Sequence, residues 1–190
     1  MEKDIFQVAA EYRGSIINET IWLEKRMDDY IAYYFCDDVN RTQEMHLLFW
    51  GDNRMSFEGK KQIFDYIARK HDLDWYKQYI SLRSAPVKKG SISMNNDLCY
   101  IMEQRNILAH CVLDLRKDAR NKEKGTVSFL RFKNEEKRFE FTVEIFNEIR
   151  MTLINLSSYF IEREIEGWEQ LQRVRKYIWP DEENEDSDEN

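Results

Sequence analysis

One short segment of the chain holds most of the residues that could carry chemistry. Arg105, Asn106 and His110 fall within the run Arg-Asn-Ile-Leu-Ala-His. An imidazole exchanges protons near neutral pH, and a guanidinium stays charged and binds anionic oxygens through a rigid fork of donors. The segment therefore has the residue types for acid–base chemistry beside an anionic group. Of the other two histidines, His46 lies in a short apolar stretch and His71 at a helix end, and we expect structural roles for both.

The spacing of the three residues allows a catalytic and a structural interpretation. On a regular helix Arg105 and His110 lie about 140° apart, because each residue turns the chain by about 100°. They share one edge only if the helix loosens near His110 or if both side chains reach into one groove. In the alternative interpretation Arg105 pairs with an acid such as Glu103 or one on a long helix, while Asn106 and His110 satisfy buried backbone groups.

The other chemical signatures of the sequence are weak. The chain has no phosphate loop, dinucleotide fingerprint, zinc-protease motif or hydrolase elbow. Its cysteines, Cys36, Cys99 and Cys111, are isolated and have no histidine at ligand spacing, so we expect reduced thiols, no metal site and no cofactor. A nucleophilic Cys111 beside His110 is less favoured than a half-buried thiol, because neighbouring helical residues point about 100° apart.

Two long amphipathic helices are predicted to frame the segment. Apolar residues recur at three- and four-residue steps from Asp4 to about Phe35, and again from about Val143 to Ile178. Shorter helices are expected between them. One of these is capped by Ser56 and should hold Lys60 and Lys61 away from its apolar face.

The segment between the long helices contains the motif helix and a change of pattern. A helix over about Asp74 to Ser84 should end before Pro86, and the motif helix should run from near Asn95 to His110. Residues 126–143 hold two β-branched and aromatic runs joined by polar residues, which predicts a β-hairpin. The fold class is therefore mainly all-α, a helical bundle with two long helices and an inserted β-hairpin near residues 126–143. We expect one domain over residues 1–180.

In this setting the run from Arg105 to His110 resembles the R-x4–6-H motif of HEPN domains, in its R-N-x-x-x-H form. This all-helical family occurs in toxin–antitoxin, abortive-infection and RNA-degrading defence systems. The layout from Ile5 to Glu166, with a long first helix, a helix over Ser56 to Phe64 and a long closing helix, is also similar to that of HEPN domains. The specific residues are confined to the motif.

The resemblance implies a homodimer whose two motif helices face each other, acting as a metal-independent endoribonuclease on single-stranded RNA in phage defence or a toxin–antitoxin system. Carried over to this chain, it assigns catalytic roles to Arg105, Asn106 and His110. His110 would move protons to or from a ribose 2′-hydroxyl or a leaving 5′-oxygen, and Arg105 would bind the phosphate. Asn106 would orient one of them or hold the ribose. The alternative is a catalytically silent HEPN-like module that binds RNA, a nucleotide or a protein partner.

Two further points follow from the resemblance. Because each chain supplies one such histidine, a two-proton scheme needs His110 from both subunits. Family members paired with a nucleotidyltransferase antitoxin often continue the motif as H-x-Tyr, whereas Cys111 and Val112 follow His110 here. The chain therefore departs from the tyrosine-modification scheme, and an antitoxin or other regulatory protein stays an implied partner only.

Basic residues flank the motif on both sides and form the candidate RNA-binding set, because contacts to backbone phosphates supply affinity for RNA. They are Lys88 and Lys89 before the motif helix and Arg116, Lys117 and Arg120 after it. A solvated charged loop is the commoner explanation for such a stretch.

The formal net charge of −7 lies entirely in the last ten residues. Residues 181–190 hold seven acids and no base, and 36 acids less these seven leaves 29, equal to the 29 bases. Such a block predicts a disordered acidic tail, so net charge does not exclude RNA binding by the body; the tail could itself mimic nucleic acid and cover the basic stretch. No apolar run is long enough to span a membrane and the first residues have no signal-peptide core, which predicts a cytoplasmic protein without membrane contact.

Overall fold

The computed structural model describes residues 4–36, 39–50, 55–83, 93–120, 125–133 and 135–178, and for residues 39, 120 and 168–178 it describes the backbone only. The helices of these ranges are α1 (Ile5–Phe35), α2 (Val39–Met45) with a π-helical turn (His46–Trp50) directly after it, α3 (Phe57–His71), α4 (Leu73–Gln78), α5 (Met94–His110), α6 (Lys117–Arg120) and α7 (Val143–Ile178). The strands are β1 (Val112–Leu113), β2 (Val127–Phe132) and β3 (Glu136–Phe141). The predicted tail, residues 181–190, lies outside the described residues.

The long helix α1 lies at the centre of the bundle and packs against α7, α5 and α3. It begins with a capping box, in which the Asp4 side chain accepts from the backbone N–H of Gln7 and the Gln7 side chain accepts from that of Asp4. Its apolar stripe is fully buried at Ile16, Leu23 and Met27. The two long helices predicted from the sequence are therefore confirmed as the frame of a mainly helical fold.

One end of the bundle is closed by aromatic side chains from four helices. Tyr30 stacks on Trp75, with ring centroids 5.3 Å apart, and Phe64 and Phe160 pack around them edge-on or tilted. The Tyr30 hydroxyl donates to Asp72, whose carboxylate also accepts from Arg163 at 2.7 Å. These contacts join α1, α3, α4 and α7 at the end of the bundle where α3 stops.

The small sheet covers the other end of the bundle. Its three strands are antiparallel in the order β1, β2, β3, and the predicted hairpin is confirmed as β2 and β3. Phe129 pairs with Phe139, and Val127 pairs with Phe141. Because side chains alternate along a strand, these paired residues share the sheet face that packs on the bundle, and Val127, Phe129 and Phe141 are buried there.

Three features differ from the sequence-based predictions. The helix α4 ends at Gln78 rather than near Ser84, and the backbone oxygen of Ile80 instead accepts from Asn155 at 3.0 Å. The strand β1 is only two residues long and leaves no periodic pattern to detect. Lys60 and Lys61, expected away from the apolar face of α3, are both buried. The Lys60 ammonium group pairs with Asp28 and Glu24 of α1, at 2.8 Å each, and that of Lys61 donates to the Cys99 sulfur of α5 at 2.9 Å.

Candidate functional site

The candidate motif lies on the last two turns of α5. This helix is capped at its start by Ser93, whose hydroxyl accepts from the backbone N–H of Asn96, and it stays regular to its end, where Cys111 N–H donates to the oxygen of Ile107 at 2.9 Å. Ile107 and Leu108 are buried and hold this end against the bundle. The helix therefore does not loosen near His110, and the angular separation of Arg105 and His110 remains.

Two of the three motif side chains lie on the accessible side of α5, and the third is hydrogen-bonded to one of them. Asn106 and His110 are exposed and, four residues apart, share one face of the helix. Arg105 is less exposed than Asn106 and His110, but its guanidinium Nη1 donates to Oδ1 of Asn106 at 3.1 Å. Asn106 thus connects Arg105 to the face that carries His110. Arg105 pairs with this amide and not with Glu103, and no hydrogen bond joins Arg105 to His110 within the described residues.

The end of α5 is attached to the first helix and to the sheet. Arg13 of α1 donates from Nη2 to the backbone oxygen of Cys111 at 2.6 Å and lies over the ring of Phe129, 4.7 Å from its centroid. A cation at this position complements the negative end of the helix dipole. Burial raises the pKa of the Cys111 thiol, an effect that the nearby charges of Arg131 and Arg13 oppose. A buried thiol with a raised pKa has the properties of a structural cysteine rather than a nucleophile.

The chain that leaves α5 is fixed by a buried carboxylate. Asp114 has no exposed surface, and both of its oxygens accept from the Arg116 side chain at 3.0 Å, while Arg138 approaches Oδ2 at 2.8 Å. The hydrogen bonds from Arg116 hold the pKa of Asp114 at about 2. Arg116 also donates to Glu136 of β3 at 2.8 Å. Its guanidinium, one of the candidate RNA contacts, therefore already pairs with two acids of the same chain.

The structure describes the other candidate RNA contacts to different extents. Lys117 opens α6 and is exposed. Arg120 closes the same short helix, and its side chain lies outside the description. Lys88 and Lys89 fall outside the described residues.

Two further basic residues, which are not in the candidate RNA-binding set, lie close to the end of α5. Arg131 and Lys137 are paired directly across β2 and β3, and both are exposed. The cationic carbon of Arg131 and the ammonium of Lys137 each lie 5.1 Å from the centroid of the Phe139 ring. Strand alternation was the available signal, because it places all three on one sheet face, but it could not show that this face meets the end of α5.

The opposite end of α5 is closed by buried polar contacts. Asp97 has no exposed surface, and its two oxygens accept from the Tyr79 hydroxyl at 2.7 Å and from Arg83 Nε at 2.6 Å. The Arg83 guanidinium lies over the Tyr100 ring, and Tyr100 donates to Glu148 of α7 at 3.0 Å. These groups fix the start of the motif helix against α7 and the segment after α4.

A second histidine and a surface depression lie away from the motif. His46 lies between Lys25 and Asp29, and burial lowers its pKa. A surface depression of about 460 Å³ is lined by residues that all belong to α3, namely Gln62, Asp65, Tyr66, Arg69 and Lys70. Within the described residues no group of three or more histidine, cysteine, aspartate or glutamate side chains is arranged to hold a metal ion. None of the described helices is both long and apolar enough to cross a membrane.

Comparison of the chain with protein-family models, with curated proteins and with solved structures finds no match to any of them.

Proposed function

We propose that this protein is a HEPN-like, metal-independent endoribonuclease whose active site contains Arg105, Asn106 and His110. The observation that carries the proposal is the arrangement at the end of α5: an exposed histidine, an exposed asparagine on the same face, and an arginine hydrogen-bonded to that asparagine. An exposed imidazole can exchange protons with a substrate, which a histidine buried in the core cannot do.

The chemistry assigns one task to each side chain. His110 takes the proton of a ribose 2′-hydroxyl or returns one to the leaving 5′-oxygen. Arg105 stabilises the negative charge that accumulates on the non-bridging phosphate oxygens. Asn106 holds the Arg105 guanidinium on the side of the helix that carries His110, as the 3.1 Å contact between them supports.

The two-proton scheme makes a homodimer part of the proposal. One chain supplies one histidine of this motif, so the acid and the base are His110 of two subunits whose α5 ends face each other. The accessible surface around His110 suits such a contact, because Ala109 and Val112 are exposed beside it and both are small and apolar. The resemblance to HEPN toxins extends the proposal to phage defence or a toxin–antitoxin system, in which a regulatory protein would restrain the enzyme.

Expression of matched variants tests the proposal. The wild type should slow growth and leave cleaved total RNA, and purified protein should cleave RNA in EDTA, whereas His110→Ala and Arg105→Ala should do neither. His71→Ala is the matched control, because His71 is also an exposed histidine at the end of a helix. Intact RNA with the wild type, or equal cleavage by His110→Ala, would refute the nuclease.

One observation favours a second candidate function. Arg105 and His110 remain on different sides of a regular helix, and a catalytically silent module that binds RNA, a nucleotide or a protein partner has no need for them to meet. In that case Arg105→Ala should weaken binding while no RNA is cleaved by any variant.

A further inference from the structure

The sheet face that packs on the bundle continues past the core as a charged surface. Along β2 this face carries Val127, Phe129 and Arg131, and along β3 it carries Phe141, Phe139 and Lys137. The first residue pair is fully buried, whereas Arg131 and Lys137 at the far end are exposed. The inner face of the hairpin therefore extends beyond the helices and ends in two cations.

The pairing of these two cations has a cost that folding alone does not explain. Like charges directly opposite each other on neighbouring strands are destabilising. Within the described residues neither Arg131 nor Lys137 has an acidic partner. Both lie 5.1 Å from the centroid of the Phe139 ring, which holds them on one face through cation–π contacts. The result is a pair of exposed cations on one sheet face, with donors left for a ligand.

The position of the pair is set by the strand that follows α5. Val112 pairs with Leu130, and the two strands run antiparallel, so Arg131 lies one residue further along β2 in the direction of Cys111 and His110. Consistent with this, the charges of Arg131 and Arg13 act on the Cys111 thiol. Because a strand rises about 3.3 Å per residue, the cation pair lies within reach of one or two nucleotides of the motif.

We propose that Arg131 and Lys137, held on Phe139, form a binding surface for single-stranded RNA that leads to His110. The cations contact successive backbone phosphates, and the planar guanidinium of Arg131 offers a stacking surface to an unpaired base. This inference rests on the proposed function, since it identifies where the substrate of that site is held.

Two other pairs of basic residues provide the contrast. On the other sheet face Arg116 and Arg138 are neutralised by Asp114, Asp118 and Glu136. At the other end of the bundle Arg69 and Lys70 also lie near tyrosine rings, but Arg69 pairs with Asp65 at 2.8 Å.

A charge-matched pair of double variants tests the surface. The full chain carrying His110→Ala, which prevents cleavage, is titrated with a labelled single-stranded oligouridine over a range of salt concentrations. Arg131→Ala with Lys137→Ala should raise Kd at least tenfold at low salt and reduce the slope of log Kd against log salt by about 1.4, the value for two lost single-strand contacts. Arg69→Ala with Lys70→Ala removes the same charge about 25 Å away, as judged from the helix rise between Arg13 and Tyr30, and should change Kd less than twofold.

The outcomes separate this inference from the nuclease. Unchanged Kd in the Arg131 and Lys137 variant, or equal weakening in both double variants, overturns the inference. Arg131→Lys with Lys137→Arg conserves charge and should retain binding, and thermal unfolding of the variants confirms that each is folded. If the alanine variant binds poorly while the chain with native His110 cleaves no RNA, the RNA-binding surface is supported and the proposed nuclease activity is refuted. If His110→Ala abolishes cleavage but loss of Arg131 and Lys137 leaves KM unchanged, the nuclease activity is supported and the RNA-binding surface is refuted.

Discussion

The two ends of α5 use polar side chains in opposite ways. At its start Asp97 is buried and both carboxylate oxygens are bonded, one to Tyr79 and one to Arg83. At its end Asn106 and His110 are exposed, and Arg105 donates a hydrogen bond to Asn106 within the motif. One helix thus has an anchored end and an open end.

The difference separates stability from chemistry. A buried, fully bonded ion pair fixes the helix because removing one partner leaves an uncompensated charge. Exposed polar side chains contribute little to stability and keep their donors and acceptors for a ligand. The anchored start therefore positions the open end, and substitutions at the two ends should affect different measurements.

The largest effect is expected at the anchored end. Asp97→Ala should destabilise the protein by about 3–5 kcal/mol, because it leaves the largely buried Arg83 guanidinium and the buried Tyr79 hydroxyl without their carboxylate. Urea denaturation followed by circular dichroism measures this change. His110→Ala, at the open end of the same helix, should stay within about 0.5 kcal/mol of the wild type. Similar losses for both variants would contradict the division of the helix.

A smaller loss of stability should follow from removing the buried acid just after the open end. Asp114→Asn should cost about 2 kcal/mol at pH 7, because it weakens charged hydrogen bonds from Arg116 and Arg138. The folded-state pKa of Asp114, about 2, lies below the ordinary value of 3.8, so its contribution is present above about pH 4 and is lost as the pH falls through 2. Urea denaturation of both proteins at pH 7 and pH 2.5 should therefore show a difference that shrinks in acid.

At the open end, the connecting role of Asn106 predicts an effect on rate alone. Asn106→Ala should lower RNA cleavage about tenfold, equivalent to about 1.4 kcal/mol, because Arg105 is no longer held toward the His110 face. Single-turnover cleavage with saturating enzyme measures it, and the urea midpoint should not move. Asn106→Gln tests whether an amide at a longer reach restores the rate. An unchanged rate for Asn106→Ala would show that Arg105 acts without this contact.

The sequence predicts those parts of the fold that depend on neighbouring residues. The cap at Ser56 and the long apolar stripes are local signals, and the helices they define are present. The hairpin was also predictable, because alternation and a polar turn lie within residues 126–143. The motif helix could likewise be bounded to within one residue at its start.

Individual side-chain contacts could not be read from the sequence. Lys60 is buried only because α1 presents Asp28 and Glu24 to it. Arg116, a candidate RNA contact, also pairs with Glu136, which lies twenty residues further along the chain. The Arg105 contact to Asn106 depends on side-chain direction, which a helical projection does not specify.

The smallest predicted effect concerns a buried acid that is less well bonded than Asp97. Asp28 accepts from Lys60 through Oδ2 at 2.8 Å, but Oδ1 has no partner within the described residues. Burial raises the pKa of Asp28 to about 6, above the ordinary 3.8, although Lys60 opposes the shift. A raised carboxyl pKa stabilises the folded state fully below about pH 4, and this stabilisation is lost as the pH rises through 6.

The stability of the wild type relative to Asp28→Asn should therefore fall by about 1 kcal/mol between pH 5 and pH 7. The comparison with the variant is needed because His46, whose pKa burial lowers, acts in the opposite direction over the same range. Urea denaturation of both proteins at each pH gives the difference. Asp114→Asn is the matched control, because the pKa of Asp114, about 2, lies below this range and its contribution should stay constant between pH 5 and pH 7. An Asp28→Asn difference that changed no more than that of Asp114→Asn would contradict the prediction.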